Sequence, residues 1–472
     1  MSLAAPQPEG PSIDRLSSIK ADGSRLALHP ADVRGRFITR RRQVFAVLIA
    51  FYVALPLVDV GGHPAVHLDV AARRFYLFGG TYNAQDFWRV LFLVTSVGFS
   101  LLFFTAWLGR VWCGWACPQT VFLEGVYRPI ERFFDGPRER RLKQASAPWT
   151  VARVARAVGK HGAYAGVSLL ISHAALSLFV SAGGLVSMVS AGPAASPVAF
   201  GWAMAVTGAL YFNFAWFREQ LCVVVCPYGR LQSAMHDRDS IIVGYDAKRG
   251  DPRGRLFKKA GVEAPPRGDC VDCRKCVAVC PTGIDIRNGL QMECLSCAQC
   301  VDACDEVMDK LGRPRGLIRY DSLNGLAGEP RRIQRPRLLL YGTLMVAAIA
   351  GLTLSLVRRV PFEANLLRFQ GTPYLLEAGT VRNQFELHLV NKNPDEATFT
   401  LRVDSPVPAQ VVVPQAEVRL ASLESFRVPL FITVQQGRVP VPFVFTVEVA
   451  DSASGEVKRM EARFLGPASP GS

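Results

Sequence analysis

The sequence predicts a multi-domain membrane protein: an α-helical bundle of about five transmembrane helices, a cysteine-rich α+β insert, and a C-terminal all-β sandwich of immunoglobulin-like type. Three observations carry that prediction. Apolar runs long enough to cross a bilayer core of roughly 30 Å recur along the chain, and clusters of arginine stand at their ends. All 12 cysteines fall between Cys113 and Cys304, in short-spaced groups. The tail from about residue 360 has no cysteine and shows the apolar and polar alternation of half-buried strands.

Composition narrows the function classes. Of the 472 residues 50% are hydrophobic and 20% charged, a balance that suits membrane spans joined to water-exposed domains. A net charge of +15 would also fit a nucleic-acid binder, but Lys and Arg cluster beside the apolar runs, where they match the positive-inside bias of membrane proteins. Nucleic acid is therefore not the expected partner. Closely spaced cysteines confined to the middle of a long chain point to metal ligation and away from a secreted disulfide framework.

Taken in order, residues 1–42 are polar, with Pro and Gly and no period, and are expected to form a flexible cytoplasmic tail. Residues 43–230 are expected to form a four-helix transmembrane domain, with spans near 43–60, 87–109, 163–185 and 198–217. The first run lies too far in for a signal peptide and is read as a retained span. The third and fourth fit a helical hairpin, with Gly183, Gly184, Gly192, Pro193 and Pro197 breaking the run between them. Residues 231–336 are polar, basic and too long for a connector, so a small domain is expected there. Residues 337–357 supply a fifth span, and 358–472 a sandwich of about seven strands, a fold that more often binds a partner than performs chemistry.

Basic residues set the expected orientation. Arg34, Arg36, Arg40, Arg41 and Arg42 precede the first span, Arg128, Arg132, Arg138, Arg140, Arg141 and Lys143 follow the second, and Arg331, Arg332, Arg335 and Arg337 precede the fifth. With five spans all three sets fall on one side, which is the cytoplasm. The residues after Arg358 are then outside, and only Arg73 and Arg74 count against this orientation.

The strongest motif is Cys270-Val-Asp-Cys273-Arg-Lys-Cys276-Val-Ala-Val-Cys280-Pro281, the bacterial two-cluster ferredoxin run; Cys294, Cys297, Cys300 and Cys304 repeat its spacing 24 residues on. In such runs the fourth cysteine ligates the other cluster. The expected ligand sets for two 4Fe-4S clusters are therefore Cys270, Cys273, Cys276 and Cys304, and Cys280, Cys294, Cys297 and Cys300. Paired four-cysteine zinc sites are the competing assignment, but zinc needs no fourth cysteine followed by proline. Asp305 stands where the second run would carry proline, with no loss of a ligand.

Two further pairs, Cys113-Gly-Trp-Ala-Cys117-Pro118 and Cys222-Val-Val-Val-Cys226-Pro227, occupy equivalent places at the inner ends of spans two and four. On a continuous helix residues four apart share a face with Cβ atoms ~6 Å apart, too far for a disulfide unless the helix unwinds. Four thiols converging there suit Cu(I) or another iron–sulfur centre; buried cysteine used as a small apolar residue is the bland alternative. His63 and His67, four apart in the first outer loop, and His173 in the third span are further candidate ligands, each more simply read as structural. No nucleotide-binding loop accompanies them.

The order of these parts resembles the cytochrome c oxidase accessory family CcoG/FixG/RdxA. The resemblance rests on Cys113-Cys117-Pro118, on Cys222 and Cys226-Pro227-Tyr228-Gly229-Arg230, on the Cys270-to-Cys304 segment with Gly283-Ile284-Asp285-Ile286-Arg287, and on Ala303-Cys304-Asp305-Glu306-Val307-Met308. It runs from about residue 35 to the end. It implies a multi-pass protein of the bacterial inner membrane that reduces Cu(II) to Cu(I) for assembly of a cbb-type oxidase. Cys113, Cys117, Cys222 and Cys226 then handle copper, copper chaperones or oxidase assembly factors are partners, and the electron donor is left open. A quinol dehydrogenase-type subunit and a non-enzymatic assembly factor with structural clusters are the competing readings.

Overall fold

The computed structural model describes residues 27–467 apart from 61, 84–85, 255–266, 333, 359, 394 and 439–440. The chain divides into two compact units, one built from 91–350 with the residues before 59, the other from 59–90 and the residues after 350.

In the first unit apolar length decides the helices. Trp88–Leu108, Val151–Val180, Pro197–Phe217 and Pro336–Val357 are long and apolar enough to cross a membrane, with mean hydropathies of 2.0, 1.7, 1.4 and 1.9. Most of their surface is open to surroundings that leave Leu91, Leu170, Trp202 and Leu339 exposed. These are the four found among the described residues; the first helix, Arg36–Ala54, at the place of the other expected span, spends its opening turns on Arg36, Arg40, Arg41 and Arg42. Only its second half is apolar, and it ends at Ala54, two residues ahead of Pro56, which has no N–H to continue the hydrogen-bond ladder. The hairpin forms, though with a different break. Helix Val151–Val180 runs far longer than 163–185, stops at Ser181 (φ 62°), and Gly183 and Gly184 lie inside a short helix, Ala182–Ala191. Ser172 Oγ donates to the Ala203 carbonyl at 3.0 Å and ties the two long helices together. At the arginine-rich end Tyr127 stacks on Phe214 with centroids 4.4 Å apart and donates or accepts a hydrogen bond with Ser168.

The cysteine-rich segment is α+β. Antiparallel strands Ile242–Tyr245 and Ile318–Asp321 flank two cysteine loops, each followed by a helix, Lys275–Ala278 or Gln299–Lys310. Residues 1–26 of the expected tail lie outside the described residues, whereas the stretch that follows is held against this segment. Ala31 N–H donates to the Ala278 carbonyl at 2.8 Å. The buried Asp302 carboxylate accepts from Phe37 N at 3.2 Å and Ile38 N at 2.8 Å, capping the first helix from a distant element. Gly35 makes room for it: a Cβ there would meet Asp302 Cγ at 2.3 Å.

In the second unit, residues 59–83, expected as a loop, include an antiparallel sheet of Val66–Asp69, Arg74–Leu77 and Gly80–Asn83. The C-terminal part is an antiparallel sandwich. One sheet orders Gln410–Val412, Ser425–Gln435, Thr380–Asn391 and Phe362–Arg368, with Leu375–Glu377 also on Thr380–Asn391; the other orders Glu417–Leu420, Ala397–Asp404, Phe443–Asp451 and Val457–Phe464. Two of the nine strands have only three residues, too short for alternation to register, so a sequence count near seven falls short. Inward residues alternate along Thr380–Asn391, and Phe362, Leu389, Phe399, Val428 and Val449 close the core. Phe399 is fully buried with its ring 5.2 Å from that of Phe362. Phe399→Ala is therefore expected to cost the sandwich about 3–5 kcal/mol. Limited proteolysis of the full chain would read this as early cleavage beyond residue 360; unchanged protection would mean that the core tolerates the cavity.

Candidate functional site

The two cysteine loops share one backbone course. Asp272 and Arg274 (φ 48° and 54°) recur 24 residues later as Ser296 and Ala298 (φ 51° and 60°). Non-glycine residues rarely take this left-handed conformation, so the matched strain marks a conformation imposed by what the loops enclose. Ser296 N–H points at Cys294 Sγ, 3.4 Å away.

Each loop closes around a small cavity. Cys270, Cys273, Cys276 and Cys304 line one, beside Tyr245 and Ile318. Cys280, Cys294, Cys297 and Cys300 line the other, where Cys276 also reaches the wall and Val243, Ile284 and Ile286 complete it. Burial in these apolar surroundings pushes the thiols of Cys276, Cys294 and Cys304 up to about 12 and that of Cys297 to about 11. Sulfurs so placed ionise only when a ligand brings positive charge. Among the described residues no three His, Cys, Asp or Glu side chains converge on a point as a single ion requires. Four sulfurs spread around a void instead fit a cuboidal iron–sulfur cluster, whose irons sit at separate corners, better than a zinc ion with all sulfurs ≈ 2.3 Å away. Asp305 serves the backbone. Its carboxylate accepts from Gly316 N–H at 3.0 Å and anchors the turn that leads into strand Ile318–Asp321.

The other four cysteines sit at two matched helix breaks. Val111–Trp115 stops, Cys117 turns extended (φ −61°, ψ 126°), and Pro118 starts a new helix; Cys226 (φ −65°, ψ 111°) stands likewise before Pro227. Proline disfavours α conformation in the residue before it. The premise of one continuous helix through each pair therefore fails, and Cys117 and Cys226 become N-cap residues. All twelve cysteines are free thiols. The first break is tied to the chain that leads to the second: Gln119 and Asn213 exchange side-chain hydrogen bonds of 3.3 and 2.7 Å, and Gln119 also donates to the Arg218 carbonyl at 2.8 Å. Cys113 Sγ lies 3.3 Å from Gln232 Oε1, on a fully buried side chain. Burial, then the nearby Cys117, pushes the Cys113 thiol up to about 12; Cys222 is raised by burial and then by Cys117, Cys113 and Cys226. The four sulfurs thus form one electrostatic group.

This group adjoins the second cavity. A Cβ on Gly114 would meet the Leu295 carbonyl oxygen at 2.4 Å and Cys297 Cα at 3.0 Å, so the backbone between Cys113 and Cys117 touches the backbone of a cavity cysteine. Arg41, fully buried, donates Nε–H to the Gly114 carbonyl at 2.9 Å. Arg110 reaches the Met292 and Gly229 carbonyls, and Trp115 Nε1–H donates to Tyr320 OH at 3.0 Å, which in turn donates to the Ser296 carbonyl. Sequence reasoning missed Gly114, Arg110, Tyr320 and Asp302, and counted Arg41 and Arg128 only as orientation charges. A glycine between two motif cysteines was the one readable signal. The histidines are otherwise engaged: His63 and His67 both stack on Tyr76, at 4.1 and 5.6 Å, and His173 Nδ1 bonds the Leu169 carbonyl one turn back in its own helix.

Comparison with known proteins finds similarity along most of the chain. A 4Fe-4S dicluster domain matches residues 217–323, a 4Fe-4S binding domain matches 88–137, and the IG-like fold at the C-terminus of FixG matches 352–467. The chain is 34% identical to nitrogen fixation protein FixG of Rhizobium meliloti, over 95% of this chain and 94% of that protein. It is 33% identical to protein RdxA of Cereibacter sphaeroides (94% and 98% covered) and 33% identical to protein RdxB of the same organism (93% and 92%). With its apolar helices and its iron–sulfur domains, the chain belongs to the FixG/RdxA family of membrane-associated iron–sulfur electron-transfer proteins.

Proposed function

We propose that this protein reduces Cu(II) to Cu(I) at the membrane, for assembly of a cbb-type cytochrome c oxidase. The observation that carries the reading is the contact of Gly114 with Cys297, which puts four soft thiol donors one backbone away from an iron–sulfur cavity. In this reading Cys270, Cys273, Cys276 and Cys304 hold one 4Fe-4S cluster, and Cys280, Cys294, Cys297 and Cys300 the other. Clusters so held supply electrons singly, which is the stoichiometry that copper reduction needs.

The chain's own groups do the rest. The copper substrate is taken up by thiolates drawn in pairs from Cys113, Cys117, Cys222 and Cys226, since among the described residues no three of them converge on one point, and thiolate donors favour Cu(I). Arg41 and Arg110 fix the distance between the thiol group and the second cavity by holding carbonyls on both sides of the junction. The exposed Cys273 marks the edge of the first cavity as the place where a donor reaches the path.

The same reading places the arginine-rich helix ends and the cysteine-rich segment in the cytoplasm of a bacterial cell, and the sandwich in the periplasm. Arginine clustering supports it.

Three measurements test this. Anaerobically purified protein should contain about eight irons and eight acid-labile sulfides per chain, with Cys270→Ser and Cys297→Ser losing iron and copper reduction together; zinc without labile sulfide would end the assignment. Cys113→Ser and Cys222→Ser should keep the iron but slow Cu(II) reduction and weaken Cu(I) binding, and Gly114→Val should slow reduction while keeping both metals bound. Loss of iron in the serine variants would instead assign these thiols to a further iron–sulfur centre, and full reduction with intact clusters would make them packing residues. For topology, alkaline phosphatase fused after residue 365 should be active and fusions near 145 and 250 inactive; the opposite pattern inverts the orientation.

A further inference from the structure

A groove of ≈ 780 Å³ runs between the first helix and the stretch 124–132, and neither the clusters nor the copper path uses it. One wall is a single stripe of the first helix: Arg42, Phe45, Ala46, Ile49, Ala50 and Val53 follow at i, i+3, i+4, i+7, i+8 and i+11. The opposite wall carries Glu124, Arg128 and Arg132, and Arg141 and Gln299 complete the site. Polarity is graded along it. The arginines gather toward the N-terminal end of the first helix, and Val53 lies 11 residues on, roughly 16 Å along the axis at 1.5 Å per residue.

The arginine end is incompletely satisfied. Arg128 pairs with Glu124 at 2.5 Å and donates to the Pro281 carbonyl at 3.1 Å; Arg132 pairs with Asp32 at 2.5 Å; Arg141 pairs with Glu131 at 3.5 Å and donates to the Pro30 carbonyl at 2.9 Å. Even so, Nε of Arg128, Arg132 and Arg141 is buried without an acceptor in all three. Arg128 and Arg141 are themselves more than nine-tenths buried, at 7% exposure each. A buried donor without an acceptor carries its desolvation penalty in full. A phosphate accepts several charge-assisted hydrogen bonds at once, and the guanidinium groups of Arg42 and Arg132, the more exposed of the four, face it at the groove surface.

We infer that this groove binds an acidic phospholipid, its phosphate among Arg42, Arg128, Arg132 and Arg141 and an acyl chain along Phe45, Ile49 and Val53. The apolar stripe selects an amphiphile over a free anion, and Arg42, the lining guanidinium that no carboxylate pairs among the described residues, selects an anionic headgroup over a zwitterionic or neutral one. The lipid would brace the junction itself, since Gln299, next to Cys300, lines the groove and donates to Glu124 at 3.2 Å.

The test titrates delipidated full-length protein in neutral detergent, by native mass spectrometry, with phosphatidylglycerol, phosphatidylcholine, inorganic phosphate and a short-chain ubiquinone. One phosphatidylglycerol per chain is expected, bound about tenfold or more tighter than phosphatidylcholine. Arg42→Gln combined with Arg132→Gln should weaken it by a similar factor, and Ala50→Trp, which fills the acyl path and leaves every arginine, should also weaken it. Unchanged iron content would show that these variants keep their fold. Equal binding of the two phospholipids would overturn the inference, as would phosphate binding as tightly as the lipid, which means a soluble-anion site, or ubiquinone displacing the lipid as a better ligand, which means a quinone site. A fold lost in Ala50→Trp leaves the arginine pair, whose two side chains reach the groove surface, to decide.

Discussion

Gly114 has no Cβ, and the 2.4 Å that a Cβ would leave to the Leu295 carbonyl oxygen fixes how closely the helix ends and the cysteine-rich segment approach. Much else at this end of the bundle serves that approach. Arg41 is spent on the Gly114 carbonyl, Arg110 on carbonyls of both partners, and the Trp115–Tyr320–Ser296 chain pins the same junction from a third direction. Backbone-to-backbone contact is the shortest separation that two redox-capable groups on different elements can have, and only glycine allows it here.

Charge is buried at this junction because it is paired. Burial alone would raise the Glu131 carboxyl, yet Arg218, at 2.6 Å, and Arg141 outweigh it and hold the group down at about 2. A carboxylate depressed in the folded state adds stability above its ordinary range, and that contribution is lost as pH falls toward 2. Near neutral pH the network is therefore fully formed. Its worth is geometric as much as energetic, since buried pairs often do little better than apolar packing but are costly to break from one side.

Cysteine spacing made the ferredoxin-like segment legible, because a thiol repeat with a 24-residue period has few physical explanations. The sandwich was legible from period-two alternation, apart from its three-residue strands. The first helix begins earlier than the apolar run over 43–60 suggests, because four arginines occupy its opening turns, and it ends at Ala54, just ahead of Pro56. The arginines themselves misled in a second way. Arg41, Arg128 and Arg141 read as positive-inside charges, but all three are buried and bonded to specific carbonyls and carboxylates. Nothing in one sequence separates an arginine facing water from one that locks two elements. The left-handed turns at Asp272, Arg274, Ser296 and Ala298 were equally silent, since none of the four is glycine.

The cap on the first helix comes from a residue 265 positions later in the chain. At ribosomal speeds of ~5–20 residues per second, that separation corresponds to roughly 13 to 53 s of synthesis. For that interval the amides of Phe37 and Ile38 wait without Asp302, and the cysteine loops they will meet do not yet exist. Docking is thus a late event in biogenesis: the first helix has been made long before the residue that caps it.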